Sequence, residues 1–169
     1  NLKLSIKKMK IGLFFLSLLI TLNLNSQSLP EVEITQSWLN KIEAMVKGEK
    51  RLAPNKKKNL LIFSLHTGYN HWTIPHTEEA IKIIALKTGD FNVDVTKDVG
   101  VFEKKNLSKY DVIVLNNNCS DRERRDMFWD VIKENELLDE KEVLDKAKKL
   151  EKNLLKYIKR GNGLVVLHG

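Results

Sequence analysis

The chain has 169 residues, one cysteine and a formal charge of +7. Residues 1–28 hold four lysines and no acidic residue, so the rest of the chain carries only +3. Its basic residues are interleaved with acidic ones, as on solvated helix faces, which argues against a nucleic-acid partner, and the single cysteine excludes an internal disulfide framework.

The N-terminus has the pattern of a cleavable secretory signal. Lysines precede an apolar run at residues 11–22, and a polar stretch with small residues follows at 23–28. The run is shorter than the roughly 20 apolar residues that span a bilayer. We therefore predict a signal peptide over residues 1–28, export to the periplasm or the extracellular space, and no stable membrane anchor after cleavage. Because Met9 directly precedes Lys10 and the apolar run, residues 1–8 are expected to lie upstream of the true start.

A short helix and a linker are expected over residues 29–55, because apolar residues at loosely helical spacing give way to polar ones after Gly48. The unbroken apolar run from Leu60 to Phe63 is typical of a strand that is buried on both faces. A helix is expected next, from Pro75 and Thr77 to about Lys87, before Gly89. Its inward face would hold Ala80, Ile81, Ile84 and Ala85.

The following segments predict two more strands and a helix. Residues 91–95 alternate between apolar and polar, which predicts a half-exposed strand near an edge. Residues 111–115 form another unbroken apolar strand. A helix is expected over residues 121–133, with Ser120 and Asp121 as its N-cap.

The clearest element is a long amphipathic helix after Asp139. Asp139 and Glu142 form a capping-box pattern, and Lys159 and Arg160 precede Gly161 at the other end. The inward face would hold Val143, Leu144, Ala147, Leu150, Leu154, Leu155 and Ile158. Residues 164–167 then predict a fourth buried strand. This order indicates an α/β fold, a parallel sheet with helices on both faces that is incomplete at the C-terminus.

Ligands of open parallel sheets bind beyond the carboxyl ends of the strands. The expected rim of this sheet contains all four histidines. The candidate ligand-binding residues are Thr67, Gly68, Tyr69, Trp72, His76, Asn116, Asn117 and Asn118. A single histidine in such a loop more often caps a helix, but the cluster beside an asparagine triplet and two aromatic rings favours a polar binding site. Aromatic faces together with amide and imidazole groups suit a sugar.

Proton transfer near neutral pH is a further possibility for this rim, since imidazole can act as acid or base there. The candidate catalytic residues are His66, His71 and His168. No cofactor is predicted. No metal ligands are assigned, because the histidine spacings match no zinc signature, although a divalent metal stays open. Cys119 is either a nucleophile or, more in keeping with a lone cysteine, a small buried filler.

Two segments carry a resemblance to a known family. One is the loop His66-Thr67-Gly68-Tyr69-Asn70-His71 after the first strand, and the other is Gly161-Asn162-Gly163-Leu164-Val165-Val166-Leu167-His168-Gly169. With the approach to the third strand at residues 106–111, they resemble the ThuA-like (trehalose-utilisation) domain. The resemblance covers residues 56–169, as the N-terminal part of that domain, with a helical insertion near residues 132–150.

This resemblance implies a flavodoxin-like fold related to the class I glutamine amidotransferases and a link to sugar utilisation. The position of the amidotransferase cysteine corresponds to His168, so the resemblance implies the fold without amidotransferase chemistry. Two hypotheses follow. The chain is an exported protein that processes a glycoside or a keto sugar, or it is a non-catalytic carbohydrate-recognition or scaffold domain of a larger exported protein.

Overall fold

The computed structural model describes residues 32–47 and 56–167. The predicted signal peptide, part of the predicted linker and His168 lie outside the described residues. Helix α1 spans Gln36–Met45. The elements that follow are β1 (Lys58–Phe63), α2 (Thr73–Thr88), β2 (Phe91–Thr96), a 3₁₀ helix (Val99–Phe102), α3 (Lys104–Leu107), β3 (Val112–Asn116), α4 (Met127–Ile132), α5 (Glu140–Lys159) and β4 (Gly163–Leu167).

The four described strands form one parallel sheet in the order β2-β1-β3-β4. This order corresponds to the first four strands of the flavodoxin-like arrangement. Leu60 of β1 lies beside Val93 of β2 on one side and Val112 of β3 on the other. The predicted parallel α/β fold is confirmed, and β2 lies at an edge as its alternating pattern predicted.

Helices cover both faces of the sheet. Alternate residues of each strand point to opposite faces, so each strand contributes to two separate cores. On one face Leu60, Ile62 and Val114 pack with Ala85 of α2. On the other face the core includes Leu61, Phe63, Ile113, Phe102, Phe128, Ala147, Leu150 and Tyr157. Strands β1 and β3 are thus buried on both faces, which explains their unbroken apolar sequences.

The helix boundaries follow local capping chemistry. The predicted capping box of α5 is confirmed, since the Asp139 carboxylate accepts the Glu142 N–H at 2.8 Å and Glu142 accepts the Asp139 N–H at 3.0 Å. The predicted N-cap of α4 at Ser120 and Asp121 is wrong. Asp126 caps that helix by accepting the Trp129 N–H at 3.1 Å, so α4 begins six residues later than expected and residues 121–126 form a turn.

Three expectations about burial are also wrong. The predicted fourth buried strand, β4, has Val165 and Val166 exposed by 45% and 64%, because β4 has one strand neighbour in the described sheet. Ile84 and Leu155 are exposed by 48% and 49%, since each lies at the margin of its helix's apolar face. Within residues 32–47 and 56–167, no helix is long and apolar enough to cross a membrane.

Candidate functional site

The site lies where the strand order changes direction. From β1 the chain continues to β2 on one side, whereas β3 and β4 lie on the other side. The loops that leave the carboxyl ends of β1 and β3, residues 64–72 and 117–126, therefore meet at the switch point, where open α/β sheets bind their ligands.

Backbone hydrogen bonds join the two loops directly. The N–H groups of Thr67 and Gly68 both donate to the carbonyl of Cys119, at 2.9 and 3.0 Å. A side chain at position 68 would place its Cβ 2.3 Å from the carbonyl oxygen of Ser120. Gly68 is therefore required for the close approach of the loops. Its role in the site is structural, because it has no side chain that could contact a ligand.

The asparagine triplet, residues 116–118, also holds the loop after β3 to the loop after β1. Asn116 is fully buried, and its Nδ2 donates to Ser64 Oγ and to the Ile74 carbonyl, both at 3.0 Å. Asn118 Nδ2 donates to the carbonyls of Phe63 and Leu65 at 3.2 and 2.6 Å. The donor groups of these two amides are thus occupied by the fold.

Two side-chain amide oxygens of the triplet accept no hydrogen bond from the described residues. Asn117 is 6% exposed, and its Nδ2 donates to Asn116 Oδ1 at 3.1 Å. The Oδ1 atoms of Asn117 and Asn118 are buried and have no hydrogen-bond partner in the described part of the chain. Buried polar atoms are nearly always satisfied, so each of these two acceptors can take a hydrogen bond that the described protein groups do not supply.

Asn117 and Asn118 line a cavity of about 460 Å³, which is within the size range of small-molecule sites. The polar lining includes His71, Asn117, Asn118, Cys119, Arg122 and Arg125. The apolar lining consists of Leu115, Val166 and Leu167. The cavity therefore combines three of the residues predicted from sequence with two arginines that were not predicted.

The described histidines do not share one site. His71 lines the cavity and meets the ring of Tyr69 edge-on, with centroids 4.5 Å apart. His66 is half-buried and is not among the residues that line the cavity. His76 lies inside α2, where its ring contacts those of Trp38 and Trp72 at 5.1 and 5.5 Å.

The expectation that His76 lies on the ligand-binding rim is therefore not met. His76 is 9% exposed and packs between α1 and the start of α2, so it is a core residue. Tyr69 and Trp72 are exposed by 54% and 38%, and neither lines the cavity. The sequence places all these residues after β1, but the early start of α2 at Thr73 carries His76 away from the rim.

The two unpredicted arginines come from the turn over residues 121–126. Asp121 Oδ1 accepts the Glu123 N–H at 3.0 Å, and the Asp121 carbonyl accepts the Arg125 N–H at 3.1 Å. Arg122 lies within this turn and Arg125 lies at its end, and both line the cavity. Sequence reasoning missed them because it assigned the segment to a solvated helix. The signal was three arginines within the four residues 122–125, which begin four positions after the last asparagine of the triplet.

Asp130 of α4 is a second residue that sequence reasoning missed. It is 5% exposed, and its Oδ2 accepts the hydroxyl of Thr67 and, at 2.9 Å, the N–H of Asp121. Its Oδ1 is buried without a partner in the described part of the chain. Asp130 thereby ties both site loops to α4, and it occupies the hydroxyl of Thr67 that was predicted to bind the ligand.

Metal binding and thiol chemistry were two further possibilities for this site. The described residues contain no group of three or more histidine, cysteine or acidic side chains that could hold a metal ion. Cys119 is half-buried at the cavity wall, with Sγ 3.7 Å from the carbonyl oxygen of Ser120. Among the described residues, no hydrogen bond joins the Cys119 thiol to a basic side chain that would activate it.

The fold and the site define a class: an α/β protein with a parallel sheet in flavodoxin-like order and a cavity at the carboxyl ends of β3 and β4, beside the loop that follows β1. Within that class, the family model described as ThuA, trehalose utilisation, matches residues 59–169. This is more than half of the chain, and the chain belongs to the ThuA family, as its sequence resemblance implied. No curated protein and no solved structure gives a match.

Proposed function

We propose that the chain is an exported protein that binds and processes a sugar, a glycoside or a keto sugar, in the cavity at the carboxyl ends of β3 and β4. The family's description, trehalose utilisation, is a carbohydrate process. The observation that carries the proposal is the pair of buried, unpartnered Oδ1 acceptors of Asn117 and Asn118 beside this cavity. Sugar hydroxyls are donors that suit such acceptors, and the apolar wall suits the face of a sugar ring.

In this proposal His71 is the acid, base or hydrogen-bonding group. It is the one described histidine that lines the cavity. A proton donor or acceptor must lie within hydrogen-bond reach of the reacting group, and His71 meets that requirement better than His66. His168 directly follows Leu167, which lines the cavity, but lies outside the described residues.

A second candidate function is carbohydrate recognition without turnover, as a recognition or scaffold domain of a larger exported protein. The observation that favours it is the absence of any acidic side chain among the described residues that line the cavity. Glycoside hydrolysis commonly uses a pair of carboxylates on either side of the scissile bond. The two functions differ in turnover and share the binding site.

Binding is tested by thermal shift and calorimetry with disaccharides, their keto forms and divalent metals. Stabilisation by a sugar is expected for the original chain and for His66→Ala, and is expected to be lost in His71→Ala. Turnover of the bound sugar, followed by NMR, would separate the enzyme from the recognition domain. If no sugar binds, or if His71→Ala binds as the original chain does, the proposed site is wrong.

Export rests on the N-terminal sequence pattern and needs its own experiment. Expression in a bacterial host with a signal peptidase is expected to yield a periplasmic or extracellular product whose first residue lies in residues 26–29. A cytoplasmic product that keeps residues 9–28 would refute the proposal of export, and it would leave the proposed sugar site unaffected.

A further inference from the structure

Three arginines lie in the turn over residues 121–126, and their surroundings differ. Arg124 forms an ion pair with Glu140 at 2.6 Å, and its guanidinium lies 4.5 Å from the ring centroid of Trp129. Arg122 and Arg125 line the cavity instead. In the part of the chain that the structure describes, neither of them forms an ion pair. Two of the three guanidinium groups are therefore available to a ligand.

Two of the three acidic side chains of the turn form local hydrogen bonds, and the third, Glu123, is exposed. Asp121 accepts the Glu123 N–H, and Asp126 caps α4. None of the described residues that line the cavity is acidic. Among the described residues, the cavity wall thus carries two positive charges and no negative one, beside the apolar side chains of Leu115, Val166 and Leu167.

The backbone of the cavity is held in an uncommon conformation at two positions. Among the described residues other than glycine, only Asn117 and Arg125 have positive φ, 51° and 54°. Both line the cavity. This conformation is common for asparagine but costs arginine about 1–2 kcal/mol. Such strain concentrates at binding sites, and here it fixes the direction in which the Arg125 side chain leaves the turn.

From these observations we infer that the sugar bound in the cavity carries an oxyanion, and that Arg122 and Arg125 bind that group. Guanidinium presents a planar fork of N–H donors that matches the oxygens of a carboxylate or a phosphate. The unpartnered acceptors of Asn117 and Asn118 take the hydroxyl groups of the same molecule. The inference rests on the proposed function, since it names the class of sugar that the same cavity takes.

Calorimetry on the full chain tests the inference with glucose, glucuronic acid and glucose 1-phosphate as probes. At least one acidic sugar is expected to bind about tenfold or more tightly than glucose, a difference of about 1.4 kcal/mol, and to bind more weakly at high salt. The comparison of glucuronic acid with glucose 1-phosphate shows whether the oxyanion is a carboxylate or a phosphate.

Single variants assign the effect to the two arginines. Arg122→Gln and Arg125→Gln are each expected to reduce the preference for the acidic sugar over glucose to less than threefold. Arg124→Gln is the matched control from the same turn, and it is expected to keep the preference. Glycine adopts the left-handed conformation at position 125 without strain, so Arg125→Gly is expected to fold. Loss of the preference in this variant as well would therefore result from the missing guanidinium group and not from misfolding.

The outcomes separate this inference from the proposed function. If glucose binds as tightly as both acidic sugars, the inference is wrong and the sugar site stands. If Arg124→Gln loses the preference as completely as Arg122→Gln does, the effect comes from general surface charge and the inference is wrong. If none of the three probes and no disaccharide binds, both the inference and the proposed function are wrong.

Discussion

Asn116 offers a direct test of whether the asparagine triplet serves the fold or the ligand. Sequence reasoning placed Asn116 among the ligand-binding residues, whereas the structure buries it completely and gives it three hydrogen bonds. Two of these bonds, to Ser64 and Ile74, join β3 to the loop after β1 and to the start of α2. We therefore expect Asn116→Ala to destabilise the protein and not to act on the ligand alone.

The magnitude follows from the hydrogen bonds. Each buried bond contributes about 1 kcal/mol net, and a buried group that loses its partner costs about 1–3 kcal/mol. Loss of all three bonds predicts a decrease of about 3 kcal/mol or more in the free energy of unfolding. A domain whose stability is about 5–15 kcal/mol would remain folded. Urea denaturation followed by circular dichroism measures the change.

Asn92→Ala is the matched control for this variant. Asn92 is also an asparagine of the sheet with one side-chain bond, to Asn59 Oδ1 at 3.0 Å, but the pair is exposed. Its loss is expected to cost less than about 0.5 kcal/mol, as for other surface substitutions. A decrease below about 1 kcal/mol in Asn116→Ala together with complete loss of sugar binding would refute the structural role and restore Asn116 as a ligand residue.

Three further substitutions test other parts of the structure. Gly68→Ala brings Cβ against the Ser120 carbonyl. It is expected to lower the free energy of unfolding by about 1–3 kcal/mol and to weaken sugar binding. A variant as stable as the original chain would contradict this. His76→Leu removes two ring contacts, so thermal unfolding is expected to show a decrease of about 1–3 kcal/mol in stability with unchanged sugar affinity. Weaker sugar binding in this variant would show that His76 belongs to the binding site. Burial and the nearby Asp111 raise the pKa of Tyr157 to about 12, against about 10 in the unfolded chain. Stability is therefore expected to fall as the pH rises through this interval. Tyr157→Phe, measured across the same pH range, should reduce that fall, and an unchanged alkaline loss would contradict the assignment.

The sheet could be predicted from sequence because its signals are local. The unbroken apolar runs of β1 and β3 report burial on both faces, and the alternation in β2 reports an edge position. The capping box before α5 needs only Asp139 and Glu142, three residues apart. Each of these features follows from neighbouring residues, whatever the rest of the fold does.

The composition of the site could be predicted only in part, because it depends on contacts between distant segments. His71, Asn117 and Asn118 were predicted, and they line the cavity. His76 was predicted for the rim, but its contact with Trp38 requires α1 to pack on α2. Arg122 and Arg125 were missed because the true N-cap of α4 is Asp126 and not Asp121. An error of six residues at one helix start thus concealed both positive charges of the cavity.

The two site loops divide their polar groups between folding and binding, and this division has a mechanistic consequence. The N–H groups of Thr67 and Gly68 and the amide donors of Asn116 and Asn118 are all used within the protein. What remains for a ligand are amide oxygens, two guanidinium groups and one imidazole. The amide oxygens of Asn117 and Asn118 are held in place by the bonds of their own Nδ2 groups, which reduces the ordering cost of binding to them. It follows that substitutions of the shared amides should lower stability and affinity together, whereas substitutions of the arginines should lower affinity alone.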